Sequence, residues 1–361
     1  MATESKVAEI IYPYLTHRGD VYGLQDPISF PKDCIEVLRS RPFTFAARNC
    51  NKWALGRVML CGDSAHVMPP FGGQGIASGF RDASGLAWRL ALLCRRENEA
   101  YHKSVISSWY TERKQQLEVS IANTVTNGNL CTTRNQVTIF FRDWILWFMQ
   151  QFPAWRKQLE LGPRVDGMVR YKWAPGMAFL PDDFGGRCLP QVYCRPLFIS
   201  TKSTDPGVRF TDDVIFGADK KMLFQLVLLV DNLSAAKKAL LDLQAVDLER
   251  VSKGMLSGKE ATCITHDSSL EPDDVDEPLI PFKQQLYRIA TAEEFAATEA
   301  LCRNRPEPIG YNMYQMREAM KGRRYVIVRP DRFVFAACGT VEGLVQACAA
   351  IEDAVFSKGK I

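Results

Sequence analysis

Gly56 to Leu93, GRVMLCGDSAHVMPPFGGQGIASGFRDASGLAWRLALL, decides how this chain is read. The apolar run Val58–Cys61 predicts a buried strand ending at Gly62-Asp63. A polar turn with His66 follows, then the rigid Pro69-Pro70 pair and a loop containing Gly72, Gly73 and Gly75. Small residues beyond the loop predict a closely packed helix. Open α/β folds bind ligands where sheet strands end, which puts Asp63 at a ligand-facing position. Its carboxylate can accept hydrogen bonds from sugar-like hydroxyls. The loop glycines let backbone N–H groups approach a flat ring, and the helix N-terminus beyond them stabilises negative charge. These features suit a flat, polar, partly anionic ligand.

Outward from this stretch, the pattern organises the rest of the chain. RPFTFAAR (Arg41–Arg48) alternates like a half-buried strand. From Asp82 to about Ala122 the pattern is helical. Ala83, Leu86, Ala87, Leu90, Ala91 and Leu93 define a face for packing, and Arg81 and Asp82 open the region, where an acidic residue is mildly stabilising. IFFRDWILWFMQQFPAW (Ile139–Trp155) is the most apolar run, yet it is too short for a membrane span and carries Arg142 and Asp143. It reads as a core helix, with the wall of an aromatic pocket as the alternative. Leu161–Gly186, with its prolines and the Gly185-Gly186 pair, reads as a linker. The expected division is therefore residues 1–160, a linker at 161–186, and a second domain at 187–361. That domain carries a strand at Phe224–Val230, a helix at Ser234–Leu243, an acidic loop at Asp267–Glu277 and a strand in PFKQQLYRI. RRYVIVRPDRFVFAACG reads as strand, Pro-Asp turn, strand, and a last helix spans Val341–Val355.

Composition limits the function classes. The 361 residues are 47% hydrophobic and 24% charged, as in an ordinary globular protein with two domains. A net charge of +4 is too small to suggest nucleic acid or an anionic membrane as partner. MATESKVAEIIYPYL lacks the charged start and apolar core of a secretory signal. The eleven cysteines form no CxxC and no metal-like pairing. Several, such as Cys61 and Cys338, lie in apolar runs, so the expectation is buried free thiols in a reducing cytoplasm and no metal site. His17, His102 and His266 lack partners at ligand spacing.

GDSAHVMPPFGGQG followed by RDASGLAWRL, with the approach FxxRNCNKWALGRV, resembles the second flavin-contact motif of the group A flavin-dependent aromatic monooxygenases. The resemblance is to the branch with 3-(3-hydroxyphenyl)propionate hydroxylase and the fungal phenol-hydroxylase-like enzymes. It runs over about forty residues and is far more specific than a lone glycine motif. It implies an α/β fold, part of a Rossmann-like FAD-binding monooxygenase domain followed by a thioredoxin-like α/β domain, whose final hairpin YVIVRPDRFVFA resembles. With CxxC absent, that domain is expected to be structural, packing on the flavin domain and offering contacts for a homodimer.

The resemblance also implies chemistry and site residues. FAD would be reduced by NAD(P)H and react with O2, and the C4a-hydroperoxide would hydroxylate a phenolic or polyketide-like aromatic substrate. Gly62 and Asp63 would meet the flavin ribityl chain. The backbone of Gly73, Gln74 and Gly75, with the helix beginning near Ile76, would face the N1–C2=O edge. Pro69 and Pro70 would wall the ring, the Pro70 carbonyl close to its reacting face. Arg48 would lie between cofactor and substrate, or else be a surface arginine at a strand end. His66 is expected to orient the Asp63 turn through a hydrogen bond. Ser84-Gly85 departs from the family, where many relatives carry Asn, and Gly85 costs about 1 kcal/mol relative to Ala in a helix.

The family's opening G-x-G-x-x-G and its middle Asp-Gly motif find no match before or around Gly56. The chain is thus expected to correspond to the C-terminal portion of a full-length relative, as a truncated product or with the other half supplied by another chain. The contrasting reading is a non-catalytic remnant or interaction module.

Overall fold

In the computed structural model the described residues are 4–39, 43–95, 101–161, 170–198, 207–271, 277–298 and 310–356. They belong to two compact units, Met1–Ala46 and Ala47–Ile361. In the first, α1 (Glu4–Leu15) leads into an antiparallel ribbon of β1 (Thr16–His17) and β2 (Ile28–Ser29), with Thr16 opposite Ser29. Arg41 of the expected Arg41–Arg48 strand lies outside the described residues, and Phe43–Ala46 is not strand. Phe43 and Phe45 are 66% and 50% exposed. Alternation marks a strand only where a neighbour completes its backbone ladder.

The second unit begins with four two-residue strands, β3 (Arg48–Asn49), β4 (Ala54–Leu55), β5 (Val58–Met59) and β6 (His66–Val67). They pair as two antiparallel ribbons, β3 with β6 and β4 with β5. The buried strand expected at Val58–Cys61 is therefore the short arm of a hairpin, and Val58 is 66% exposed. An apolar run does not reveal which strand will pair with it, and pairing decides burial.

Two long helices, α2 (Gln74–Arg95) and α3 (His102–Thr132), pack together. The face of α2 differs from expectation. Leu86 and Leu93 are buried, but Ala83, Ala87 and Ala91 are exposed, and Asp82, Trp88 and Arg89 take their place inside. Gly85 explains how the helices come so close. A Cβ there would stand 3.4 Å from the Trp109 ring.

The run expected as a core helix forms α4 (Gln136–Gln150) and α5 (Pro153–Leu161), and α4 buries none of its residues. Phe140, Phe141, Trp144, Ile145, Trp147, Phe148, Phe152 and Trp155 are all substantially exposed. Its composition is that of a core, but no described element covers it. Among the described residues, no helix is long and apolar enough to cross a membrane.

A seven-stranded sheet organises the remainder. Its strands are β7 (Tyr193–Pro196), β8 (Arg209–Phe210), β9 (Gln225–Val230), β10 (Thr262–Thr265), β11 (Leu286–Ile289), β12 (Tyr325–Val328) and β13 (Val334–Cys338). The order is β13-β12-β9-β10-β11-β7-β8, with β9, β10 and β11 parallel. QLVLLV of β9 is buried at every position, as a central strand covered on both faces requires. β9, the helix Leu233–Gln244 and β10 form one unit, and β12, β13 and the helix Val341–Ala349 the other. This is the arrangement the thioredoxin-like resemblance implies, and the α/β class holds. The last helix is interrupted at Ala350 and resumes as Ile351–Phe356.

Local signals explain these helices. Asn232 Oδ1 accepts the Ala235 N–H at 2.9 Å and caps the helix after β9. Asn232→Ala is expected to lower unfolding free energy by about 1 kcal/mol in chemical denaturation. An unchanged midpoint would show that the cap contributes nothing.

Residues 170–186, the described part of the stretch read as a linker, run along the outer edge of β13. Leu180 N–H donates to Phe335 O (2.9 Å), Gly186 N–H to Val334 O (2.9 Å), and Val334 N–H to Arg187 O (2.7 Å). The loop thus occupies an edge that would otherwise present unpaired backbone groups.

Candidate functional site

The residues singled out from sequence lie on one continuous piece of scaffold. Gly62–Ser64 is a single 3-10 turn following Cys61. Gly62 adopts φ +58°, a conformation that favours glycine. Ser64 closes the turn, its Oγ donating to Cys61 O at 2.7 Å and accepting from Cys61 N–H at 3.2 Å. Asp63 projects from the turn and is exposed, and among the described residues its carboxylate makes no hydrogen bond or ion pair. Pro70, Gly72 and Gly73 are exposed too, with Gly72 and Gly73 at φ +102° and +64°. Gly73 N–H donates to Pro70 O at 3.0 Å, so the loop folds back before α2 starts at Gln74. A Cβ added at Gly73 or Gly75 would meet nothing, which leaves the loop backbone open to an approaching group. The first amides of α2 have no acceptor within the helix. Ile76 is 78% exposed in that first turn.

Arg48 is exposed on β3 opposite Val67. That pairing ties it to the strand leading into the Pro69-Pro70 segment. The cavities of about 760 Å3 (around Leu240, Leu248 and Phe282) and 580 Å3 (around Trp53, Ile106 and Tyr110) include no residue from 58 to 76. The candidate site is a strip of turn, loop and helix start in which Asp63, Pro70, Gly72, Gly73 and Ile76 are exposed.

Beneath this strip is a group that sequence reading misplaced. His66 was expected to orient the Asp63 turn through a hydrogen bond. Its Nε2 instead lies 2.7 Å from Asp82 Oδ2, with both side chains buried. The same Oδ2 accepts the Gly62 N–H at 3.0 Å, and Asp82 Oδ1 accepts Arg113 Nε at 2.8 Å. Asp82 is not at a helix start, because α2 begins eight residues earlier. Burial pushes its carboxyl pKa up, but the His66 hydrogen bond, the Arg113 charge and the Gly62 N–H outweigh this and hold it below the usual aspartate range. Trp109 Nε1 donates to the Asp82 carbonyl at 3.1 Å, and the Trp53 ring lies 5.2 Å from the imidazole. Arg113 continues the network to Gln116, which Tyr171 Oη reaches at 3.4 Å. The available signal was charge inside an apolar stripe. Asp82 and Arg89 share the spacing of Leu86 and Leu93.

Two helical turns further along α2, a second buried network joins the helices to the sheet. Glu112 accepts from Arg329 at 2.7 and 2.8 Å and pairs with Arg89 at 2.8 Å. Arg329 also binds Asp331 at 2.6 Å, and Trp88 Nε1 donates to Asp331 at 2.9 Å. The Pro-Asp turn between β12 and β13 is thereby anchored to α2 and α3. Among the described residues, no group of three His, Cys, Asp or Glu is arranged to hold a metal ion. The ten described cysteines are free thiols, but only Cys194, Cys263, Cys338 and Cys348 are buried, and Cys302 lies outside the described residues.

Residues 30–119, spanning the turn, the glycine loop, α2 and part of α3, match the family described as FAD binding domain. The match is confined to this segment. Among curated relatives, the 3-(3-hydroxy-phenyl)propionate/3-hydroxycinnamic acid hydroxylase of Klebsiella pneumoniae subsp. pneumoniae is 33% identical over 170 residues, covering 47% of this chain and 28% of that protein. The enzyme of the same name from Burkholderia cenocepacia is 36% identical over 122 residues, 34% of this chain and 22% of the relative. The chain thus matches about a quarter of the length of these relatives. Among solved structures, OxyS anhydrotetracycline hydroxylase from Streptomyces rimosus superposes with a TM-score of 0.47 at 19% identity, covering 83% of this chain and 46% of that one. Aklavinone-11 hydroxylase with FAD and aklavinone gives 0.45 at 18%, covering 87% and 46%.

The residues of the FAD-binding segment fit part of such a cofactor. It offers an unpaired, exposed carboxylate, an open glycine backbone and the positive end of a 22-residue helix. That set suits hydroxyls together with an electron-rich ring edge. No described residue of this set is arranged as a pyrophosphate cradle.

Proposed function

We propose that this chain carries the flavin-facing part of an FAD-dependent monooxygenase that uses NAD(P)H and O2 to hydroxylate a phenolic or polyketide-like aromatic. The observation that supports this most is the division of labour between two aspartates. Asp82 is buried and fully engaged, while Asp63, on the turn that Asp82 holds, is exposed and unpaired. An outward carboxylate on a fastened turn is arranged for a ligand.

Bound flavin would supply the redox and oxygen chemistry, and the protein would position it and manage charge. Asp63 accepts from ribityl hydroxyls. The amides of Gln74, Gly75 and Ile76, at the start of α2, would stabilise negative charge on the N1–C2=O edge, that of Gly73 being already bonded to Pro70 O. Pro70 gives a stiff wall beside the ring, and Arg48 on the neighbouring strand is the candidate contact on the substrate side.

FAD titration of the protein, followed by flavin absorbance and fluorescence, tests the reading. Saturable binding supports it, and Asp63→Ala is expected to weaken affinity by about 1–3 kcal/mol, the scale of a lost hydrogen bond to a charged group. Equal affinity in the variant would remove Asp63 from the site.

The exposed aromatic surface of α4 and α5 favours a second reading, in which the chain acts as an interaction module. Self-association without any flavin affinity would favour that reading.

A further inference from the structure

We propose that His66, Asp82 and Arg113 form a buried positioning device that fixes the Gly62–Ser64 turn so that Asp63 is presented to the flavin. The inference rests on the flavin reading for its ligand, but the fixing of the turn is a property of the protein alone.

The turn has an inherent problem. Gly62 is in the left-handed region, and its N–H, in a half-buried position, points toward α2, where Asp82 Oδ2 lies 3.0 Å away. A buried N–H without an acceptor costs about 1–3 kcal/mol. Asp82, reaching from the third turn of α2, supplies that acceptor. Its carboxylate is then saturated by three donors. Gly62 N–H and His66 Nε2 share Oδ2, and Arg113 Nε takes Oδ1. With Asp82 ionised and flanked by donors, His66 must carry its proton on Nε2.

Each member is itself held. The imidazole lies against Trp53, the Asp82 carbonyl accepts from Trp109, and Arg113 is braced by Gln116 and by Ser78 O at 3.4 Å. The turn and α2 also meet backbone to backbone, since a Cβ on Gly79 would stand 3.5 Å from Gly62 Cα. The path runs from α3 through α2 to the turn, and the free carboxylate of Asp63 is one residue beyond its end.

Stability alone does not account for this arrangement. A buried ionic group is seldom more stabilising than apolar residues of the same volume, whereas its directional bonds specify one geometry. Apolar packing behind Gly62 would leave its N–H unbonded and the turn free to rotate. His66, Asp82 and Arg113 are thus positioning residues, acting on the ligand only through Gly62 and Asp63.

The test uses His66→Leu, which removes the donor, His66→Gln, which keeps an N–H donor, and Asp82→Asn. Each is made alone and with Asp63→Ala. The readouts are hydrogen exchange at the Gly62 amide and FAD affinity. His66→Leu and Asp82→Asn are expected to speed Gly62 exchange and weaken FAD binding roughly tenfold each, with His66→Gln recovering most of both. In the Asp63→Ala background the further loss of FAD affinity should vanish, because the turn would have nothing left to present. Unchanged Gly62 exchange in both His66→Leu and Asp82→Asn overturns the proposal, whether or not flavin binds. Losses that add fully to that of Asp63→Ala also overturn it, since a merely structural role predicts additivity. If the unmodified protein binds no FAD, the flavin reading fails, and Gly62 exchange still decides whether the device fixes the turn. Should His66→Leu not fold, the contrast between Asp82→Asn and His66→Gln carries the same decision.

Discussion

Glu112→Ala is expected to destabilise the protein by about 3–5 kcal/mol, the usual cost of breaking a buried ion pair by removing one partner. Glu112 is fully buried and faces two guanidiniums, Arg89 and Arg329, while Asp331 supplies the second negative charge. Removing the glutamate leaves two buried cations against one carboxylate. Arg329 is in addition wholly inside, so water cannot replace the lost bonds. Denaturant unfolding of the variant checks the magnitude, and a loss below about 1 kcal/mol, as for exposed pairs, would refute the burial argument.

The same network gives a pH dependence of definite sign. Burial raises the Glu112 pKa, but Arg329 and Arg89 outweigh it and bring it down to about 2 from an ordinary 4.5. A carboxyl with a depressed folded-state pKa stabilises above its unfolded pKa, and that stabilisation is lost as pH falls through the folded value. The Glu112 contribution should therefore be complete above about pH 4.5 and fade toward about pH 2. Glu112→Gln should flatten this part of the stability–pH curve, and an unchanged slope would mean that other carboxyls produce it.

Gly185→Ala is the second substitution expected to act strongly. A Cβ at this position would collide with the Leu180 carbonyl oxygen and stand 2.6 Å from Phe335 O. Both are backbone atoms, and both belong to the contact between the 177–186 loop and β13. Gly185 N–H donates to Leu180 O at 2.9 Å, so the loop cannot open without giving up its own hydrogen bond. The expected loss is about 3 kcal/mol, at the upper end of overpacking costs. Gly186 is constrained too, with φ +79° and the Phe179 ring 2.8 Å from the place of a Cβ. A Gly185→Ala protein with an unaltered denaturation midpoint would show that the loop is free to move off the sheet edge.

Both predictions concern residues whose importance the sequence concealed, and the reason is physical. Local signals were legible. The glycines of the loop announced an open backbone, and YVIVRPDRFVFA announced a hairpin that the structure contains as β12 and β13. These depend on neighbours within a few positions, and the chain states them directly. The segment from Gly62 to Ile76 that the resemblance singled out is contiguous, and it forms the turn, the loop and the start of α2.

What tertiary structure decided was which partner each group found. Val58–Met59 became an exposed hairpin arm because its ladder partner is Ala54–Leu55. The apolar run of α4 and α5 stayed exposed because, among the described residues, nothing covers it. His66 bonded to Asp82 and not to the Asp63 turn, and Glu112 met Arg329 across 217 positions of sequence. Helical periodicity could place Asp82 and Arg89 on the stripe of Leu86 and Leu93, but not name their counter-charges on α3 and the β12–β13 turn. Sequence alone determined the α/β class, the glycine-rich loop and the terminal hairpin, all written in short-range chemistry. Burial, ion pairing and the support behind Gly62 depend on contacts between distant segments, which exist only once the chain has folded.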